Sequence, residues 1–85
     1  MIYSIYYMSD IVVHHINISY NESDERVRNF VKYLKDEDRK EEMMSYFNNV
    51  KNSPDSKIYL NDKDGNEFSL FYNGGYNCAL NLRGM

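Results

Sequence analysis

Two glycine-closed turns in the last third of the chain constrain its fold more than any other feature. Lys57-Ile58-Tyr59-Leu60 is followed by Asn61-Asp62-Lys63-Asp64-Gly65-Asn66, and Phe68-Ser69-Leu70-Phe71-Tyr72 by Asn73-Gly74-Gly75. Tyr76-Asn77-Cys78-Ala79-Leu80-Asn81-Leu82 completes the segment. Short runs of aromatic and aliphatic residues punctuated by Asp-Gly and Gly-Gly read as a three-stranded antiparallel meander.

Loop length and alternation must agree, because a slip of one residue exchanges the two faces of a strand. A three-residue Lys63-Asp64-Gly65 loop pairs Leu60 with Phe68 and Ile58 with Leu70. A three-residue Asn73-Gly74-Gly75 loop pairs Tyr72 with Tyr76, Leu70 with Cys78 and Phe68 with Leu80. Both loops then place glycine third, where a bulge needs a positive φ. The expected buried face is Ile58, Leu60, Phe68, Leu70, Tyr72, Tyr76, Cys78, Leu80 and Leu82. The expected outer face has the rows Tyr59–Ser69–Ala79, Lys57–Phe71–Asn77 and Asn61–Glu67–Asn81.

Upstream, residues 10–19 read as a strand from their β-branched density, with Val12, His14, Ile16 and Ile18 on one face. Residues 2–7 are also strand-like. Alternation alone leaves open whether they turn back through Met8-Ser9-Asp10 as a hairpin or form a frayed leader. A helix start follows, with Asn21 or Ser23 as candidate cap and acids suited to the positive end of the dipole. Val27, Phe30, Val31 and Leu34 then recur at i, i+3, i+4 and i+7. Met43, Phe47 and Val50 are also helical in period, but centre on roughly the opposite azimuth. One straight helix would turn half of these side chains to water. The pattern therefore predicts two helices, about 24–35 and 38–50, broken near Asp36 to Asp38, with Asp36 capping the second and Pro54 following it. The predicted fold is α+β, in the order β-α-α-β-β-β. It has an antiparallel sheet of about four strands with both helices on one face, in a single domain over residues 1–85.

Composition excludes more than it identifies. The net charge is −3, and no segment is a block of one sign. Residues 1–21 contain only Asp10 as a formal charge, and Lys35, Arg39 and Lys40 interrupt Asp36-Glu37-Asp38. A nucleic-acid binder needs clustered Lys and Arg to displace phosphate counterions, and an acidic mimic needs the reverse, so neither is expected. A single cysteine allows no intrachain disulfide and fits a reducing compartment. No apolar stretch reaches the roughly 20 residues of a membrane span, and residues 1–7 lack the basic and small-residue features of a secretory leader. A cytoplasmic protein is expected. Nine tyrosines and eleven asparagines fit an AT-rich coding bias or a Tyr-lined contact surface.

The candidate chemistries fail on placement. An EF-hand requires an oxygen ligand where Leu60 stands and a glutamate where Phe71 stands. His14 and His15 are adjacent on a strand, so they point to opposite faces and cannot share an ion. Cys78 falls on the buried face, where a thiol is inert. Gly74-Gly75 precedes a strand and offers no helix N-terminus to a phosphate. Met43-Met44 beside Phe47 reads as core packing or, as the sharper alternative, an adaptable partner patch. No catalytic residue, metal or cofactor is expected. The expected function is binding to another protein or to a second copy, through the outer face formed by Tyr59, Phe71, Ser69, Asn77 and Ala79. A short, motif-free, Tyr- and Asn-rich chain also suits a phage or mobile-element accessory protein that inhibits a host or defence enzyme. The alternative is a small-ligand or nucleotide-binding module, with the ligand near His14, Arg26 or Arg28 at the helix–sheet edge.

Overall fold

The structure, a computed structural model, describes residues 1–9 and 12–83. Its elements are β1 (Ile2–Ser9), β2 (Val12–Tyr20), α1 (Glu25–Leu34), a 3-10 turn (Glu37–Arg39), α2 (Lys40–Lys51), β3 (Lys57–Asn61), β4 (Glu67–Gly74) and β5 (Asn77–Leu82). The fold is α+β, with two helices on one face of a five-stranded sheet in the order β1-β2-β5-β4-β3.

The sheet departs from the expected antiparallel four-stranded one in two ways. First, residues 2–9 form a strand of their own, paired with β2 from Ile2↔Ser19 to Ser9↔Val12. Met8 and Ser9 of the expected turn are strand residues, paired with Val13 and Val12, while Asp10, the last residue of that turn, and Ile11, expected in the second strand, lie outside the described residues. Second, β2 and β5 run parallel, in register from Asn17↔Asn77 to Tyr20↔Leu80. The helical connection carries the chain to the far edge so that β3 runs in the direction of β2. Two hairpin reversals later, β5 shares that direction and lands beside β2. Parallel strands need a long crossover, which the two helices provide.

The helices break where the hydrophobic phase reverses. Val27, Phe30, Val31 and Leu34 are buried on α1, and Met43, Phe47 and Val50 on α2. Between them, Asp36 accepts a hydrogen bond from the Asp38 N–H (3.0 Å), and its carbonyl accepts from Arg39 N–H (2.9 Å), so Asp36 starts the 3-10 turn and does not cap α2, whose cap position is Arg39 with no side-chain bond. The cap of α1 is Asp24, not Asn21 or Ser23. Its carboxylate accepts from the Arg26 N–H (2.9 Å), while Asn21 closes the preceding turn by accepting from Ser23 N–H (3.0 Å). A carboxylate at this position also complements the helix dipole.

The first glycine-closed hairpin has the expected register, with Leu60↔Phe68 and Ile58↔Leu70. In the second, the partners shift by two residues to Tyr72↔Cys78, Leu70↔Leu80 and Phe68↔Leu82. The register is irregular between Tyr72 and Gly74, and Gly74 faces Asn77 across the turn. Gly74 and Gly75 have φ of 104° and 60°. Gly75 thus opens a two-residue turn with the positive φ that a type II′ turn needs there, and Asn73 is taken up in the bulge. A shift of two keeps every strand residue on its expected face. Tyr76 is the exception, since it lies in the turn and is 55% exposed. The core lies between sheet and helices, built on Ile16, Ile18, Phe68, Leu70, Cys78 and Leu80 from the strands. Val12 and His14, expected on this face, lie outside the described side chains.

Candidate functional site

The helices occupy one face of the sheet, so the other is open. Its residues follow from the register. Reading across β3, β4, β5, β2 and β1, one row is Lys57, Phe71, Ala79, Ser19 and Ile2. A second row runs from Tyr59 through Ser69 to Asn81, and a third from Asn77 through Asn17 to Ser4. Tyr59 is 53% exposed, Phe71 41% and Ile2 68%. A band of exposed apolar side chains thus crosses the sheet, lowered in its middle by Ala79 and Ser19.

All five residues expected at the site are on this face, and the expected Tyr59–Ser69 pair is present, but the expected Ser69–Ala79 and Phe71–Asn77 neighbours are shifted across β4 and β5. Phe71 faces Ala79, and Ser69 faces Tyr59 and Asn81. Ser69 is buried despite its outward direction, so it contributes to the floor of the face. Asn77 belongs to a polar ladder. Ser4 Oγ donates to Asn17 Oδ1 (2.8 Å), Asn17 Nδ2 to Asn77 Oδ1 (3.2 Å), and Asn77 Nδ2 to the Gly74 carbonyl (3.2 Å). This ladder ties β1, β2 and β5 together where the parallel and antiparallel pairings meet. At the opposite end, Arg83 lies over the Tyr59 ring at 4.1 Å and pairs with Glu67 at 3.0 Å, and Lys57 lies 5.6 Å from the same ring. Tyr59 therefore sits in a basic rim that holds its ring by cation–π attraction.

Sequence reasoning turned His15 away from the apolar face but did not assign Ile2, Ser4, Tyr6, His15, Asn17 or Ser19 to the contact surface. The signal for the last three was present. With Ile16 and Ile18 inward, their odd-numbered neighbours had to point outward. For β1 the alternation left a hairpin and a frayed leader equally open, so its continuation of the surface was not settled by the sequence. Tyr6 and His15 stack across the two strands, with centroids 4.6 Å apart and planes 3° apart.

A cleft of about 470 Å³ lies between α1 and the β3–β4 loop. It is lined by Asn29, Phe30, Lys32 and Tyr33 from the helix and by residues 61–64 from the loop. The Asp62 carboxylate is engaged in the turn. It accepts from the N–H groups of Asp64 (2.9 Å) and Asn66 (2.8 Å) and from Asn66 Nδ2 (2.8 Å). These bonds hold its pKa below the usual carboxylate value. Arg26 and Arg28, the expected ligand cations, do not reach this cleft. Arg26 pairs with Asp24 at 3.1 Å, and Arg28 donates to the Glu22 carbonyl at 2.7 Å.

Cys78 is buried beneath the helices, and burial pushes its thiol up to about 11. It remains a protonated core residue at neutral pH. Among the described residues, no cluster of three His, Cys, Asp or Glu side chains could hold a metal ion, and no helix is long and apolar enough to cross a membrane.

Comparison with protein-family models, with curated proteins and with solved structures gave no match.

Proposed function

We propose that this chain is a small non-catalytic binding domain that recognises another protein, or a second copy of itself, through the outer face of its sheet. The observation that carries this reading is the exposed row Phe71–Ala79–Ser19–Ile2, with Tyr59 standing in its basic rim. Exposed aromatic groups beside small residues form a shallow apolar patch into which a partner can insert side chains. Lys57 at the rim, where Arg83 is already paired with Glu67, favours a partner with an acidic group beside its apolar anchor. The finer reading is a phage or mobile-element accessory protein, cytoplasmic, acting as an inhibitor of a host or defence enzyme. It rests on the short, Tyr- and Asn-rich, motif-free composition. Affinity capture with wild type and with a Tyr59→Ala/Phe71→Ser variant tests the face. The variant is expected to lose the captured partner while keeping its circular dichroism spectrum. Unchanged capture and unchanged oligomeric state would defeat the reading.

The cleft favours a second reading, a small-ligand or nucleotide-binding module. Its volume, about 470 Å³, is within the usual range for ligand pockets. Lys32 and Lys63 stand at its wall beside Asp62 and Asp64, with Phe30 and Tyr33 as apolar surface. A thermal-shift screen with nucleotides separates the two readings, because only the second expects stabilisation that Lys32→Ala/Lys63→Ala abolishes.

A further inference from the structure

The β1–β2 hairpin extends beyond the sheet that supports it. β5 pairs with β2 only from Asn17 to Tyr20. From His15 back to Val12, β2 has β1 as its sole strand partner among the described residues, through Tyr6↔His15, Tyr7↔His14, Met8↔Val13 and Ser9↔Val12. This part of the molecule is a two-stranded ribbon, and such a ribbon is marginally stable in water without a third strand.

The free edge of β1 has an assignable pattern. Met1 and Tyr20 exchange hydrogen bonds, Tyr20 N–H to the Met1 carbonyl at 3.0 Å and the Met1 amino group to the Tyr20 carbonyl at 3.2 Å. Antiparallel pairs alternate, so the odd residues of β1 direct their backbone groups at β2 and the even ones direct theirs away. Among the described residues, Ile2, Ser4, Tyr6 and Met8 therefore present open N–H and C=O groups along one edge. The strand carries none of the devices that protect an edge. It has no charged residue, no proline and no glycine, and its pairing with β2 runs without a bulge from end to end. The opposite edge strand, β3, is shorter and carries Lys57.

We infer that β1 pairs antiparallel with β1 of a second copy, joining two five-stranded sheets into one continuous sheet about a twofold axis. The strand fits itself. Centred on Ile5, the sequence sets Ile2 against Met8, Tyr3 against Tyr7 and Ser4 against Tyr6, with no charge opposed to a like charge. In this register the even residues of one copy meet the even residues of the other, so the open backbone groups satisfy one another. Each protruding ribbon gains its third strand from the base of its partner's β1. The helices of both copies lie on one side, and the two outer faces form one surface on the other. A strand-edge contact buries less than the ~1,600 Å² of a standard interface, so the dimer dissociates on dilution. The pairing uses the sheet edge and is independent of what the outer face binds.

The test is sedimentation velocity over a wide concentration range, combined with amide hydrogen exchange. The wild-type mass is expected to rise from the 10.2 kDa of one chain towards twice that value, with the Ile2, Ser4, Tyr6 and Met8 amides protected only in the dimer. An Ile2→Lys/Tyr6→Lys variant, folded by circular dichroism, is expected to stay monomeric, with these amides exchanging freely. Tyr59→Ala/Phe71→Ser, which addresses the outer face, is expected to dimerise as wild type does. A wild-type chain monomeric at every concentration, a dimer whose even β1 amides exchange freely, open-ended fibres, or a lysine variant that dimerises normally would each overturn the inference.

Discussion

The rings of Phe30 on α1 and Phe68 on β4 stack face to face, with centroids 4.4 Å apart and planes 3° apart. Phe68 is fully buried and Phe30 nearly so, and the contact joins the first helix to a strand near the centre of the sheet. Truncating Phe68 to Ala removes this contact and leaves a cavity that the surrounding strands cannot close. Core Phe→Ala changes cost about 3–5 kcal/mol. A domain of this size has about 5–10 kcal/mol to lose. Phe68→Ala is therefore expected to remove about half of the folding stability, and Phe68→Leu less, each read as a lowered urea midpoint. A Phe68→Ala midpoint within error of wild type would contradict the central place assigned to this ring.

Gly65 closes the β3–β4 turn with φ of 85°, and a Cβ placed there would meet nothing within 4 Å. The cost of Gly65→Ala is thus backbone strain alone, about 1–2 kcal/mol. Asn tolerates positive φ better than Ala, so Gly65→Asn is expected to fall between wild type and Gly65→Ala in thermal melts. Equal melting of all three would mean that the turn does not need its left-handed residue.

The same turn depends on a carboxylate. Asp62 gathers two N–H groups and the Asn66 amide, and these donors lower its pKa in the folded chain. A folded-state pKa below the unfolded one adds stability above the ordinary carboxylate range, and that stability is lost as pH falls through the folded value. Asp62→Ala is expected to lower the neutral-pH melting temperature and to narrow its gap from wild type on acidification. A gap independent of pH would assign the loss to packing and not to charge.

How much of this was legible in the sequence depended on which physical rule carried each feature. Parity carries the faces, so Phe68, Leu70 and Leu80 were placed inward and Tyr59 and Phe71 outward correctly even though the second hairpin pairs two residues away from the expected register. Pairing partners depend on turn geometry. Gly74 and Gly75 both have positive φ, and a Gly-Gly pair fits either a glycine-third bulged loop or a two-residue turn. The helix break was readable because Val27–Leu34 and Met43–Val50 cannot bury one straight helix. The parallel contact of β2 with β5 was not, because no local pattern records where a meander docks. The site inherited the same limit. Its β3–β5 half followed from alternation, whereas Ile2, Ser4 and Asn17 joined it through a strand pairing far apart in sequence.

The final prediction concerns high pH. Cys78 is 1% exposed, and burial pushes its thiol up to about 11. Burial also raises Tyr3, and burial followed by the hydrogen bond to Glu42 raises Tyr46. In all three the folded state holds on to the proton and disfavours the anion. The unfolded chain releases these protons at the ordinary thiol and phenol values, so it binds fewer protons than the folded chain as pH rises beyond about 8.5. Stability is consequently expected to be flat in this respect at neutral pH and to fall above it, with Cys78 contributing roughly 1.4 kcal/mol per unit until its own folded value is reached. Urea denaturation of wild type and Cys78→Ala at neutral and alkaline pH measures this. The variant starts lower because it loses a buried side chain, but its alkaline decline is shallower. Iodoacetamide gives an independent readout. At neutral pH the native thiol is expected to resist alkylation and the urea-unfolded chain to react. Native labelling at the unfolded rate would place Cys78 in solvent and remove it from the core on which the sheet assignment rests.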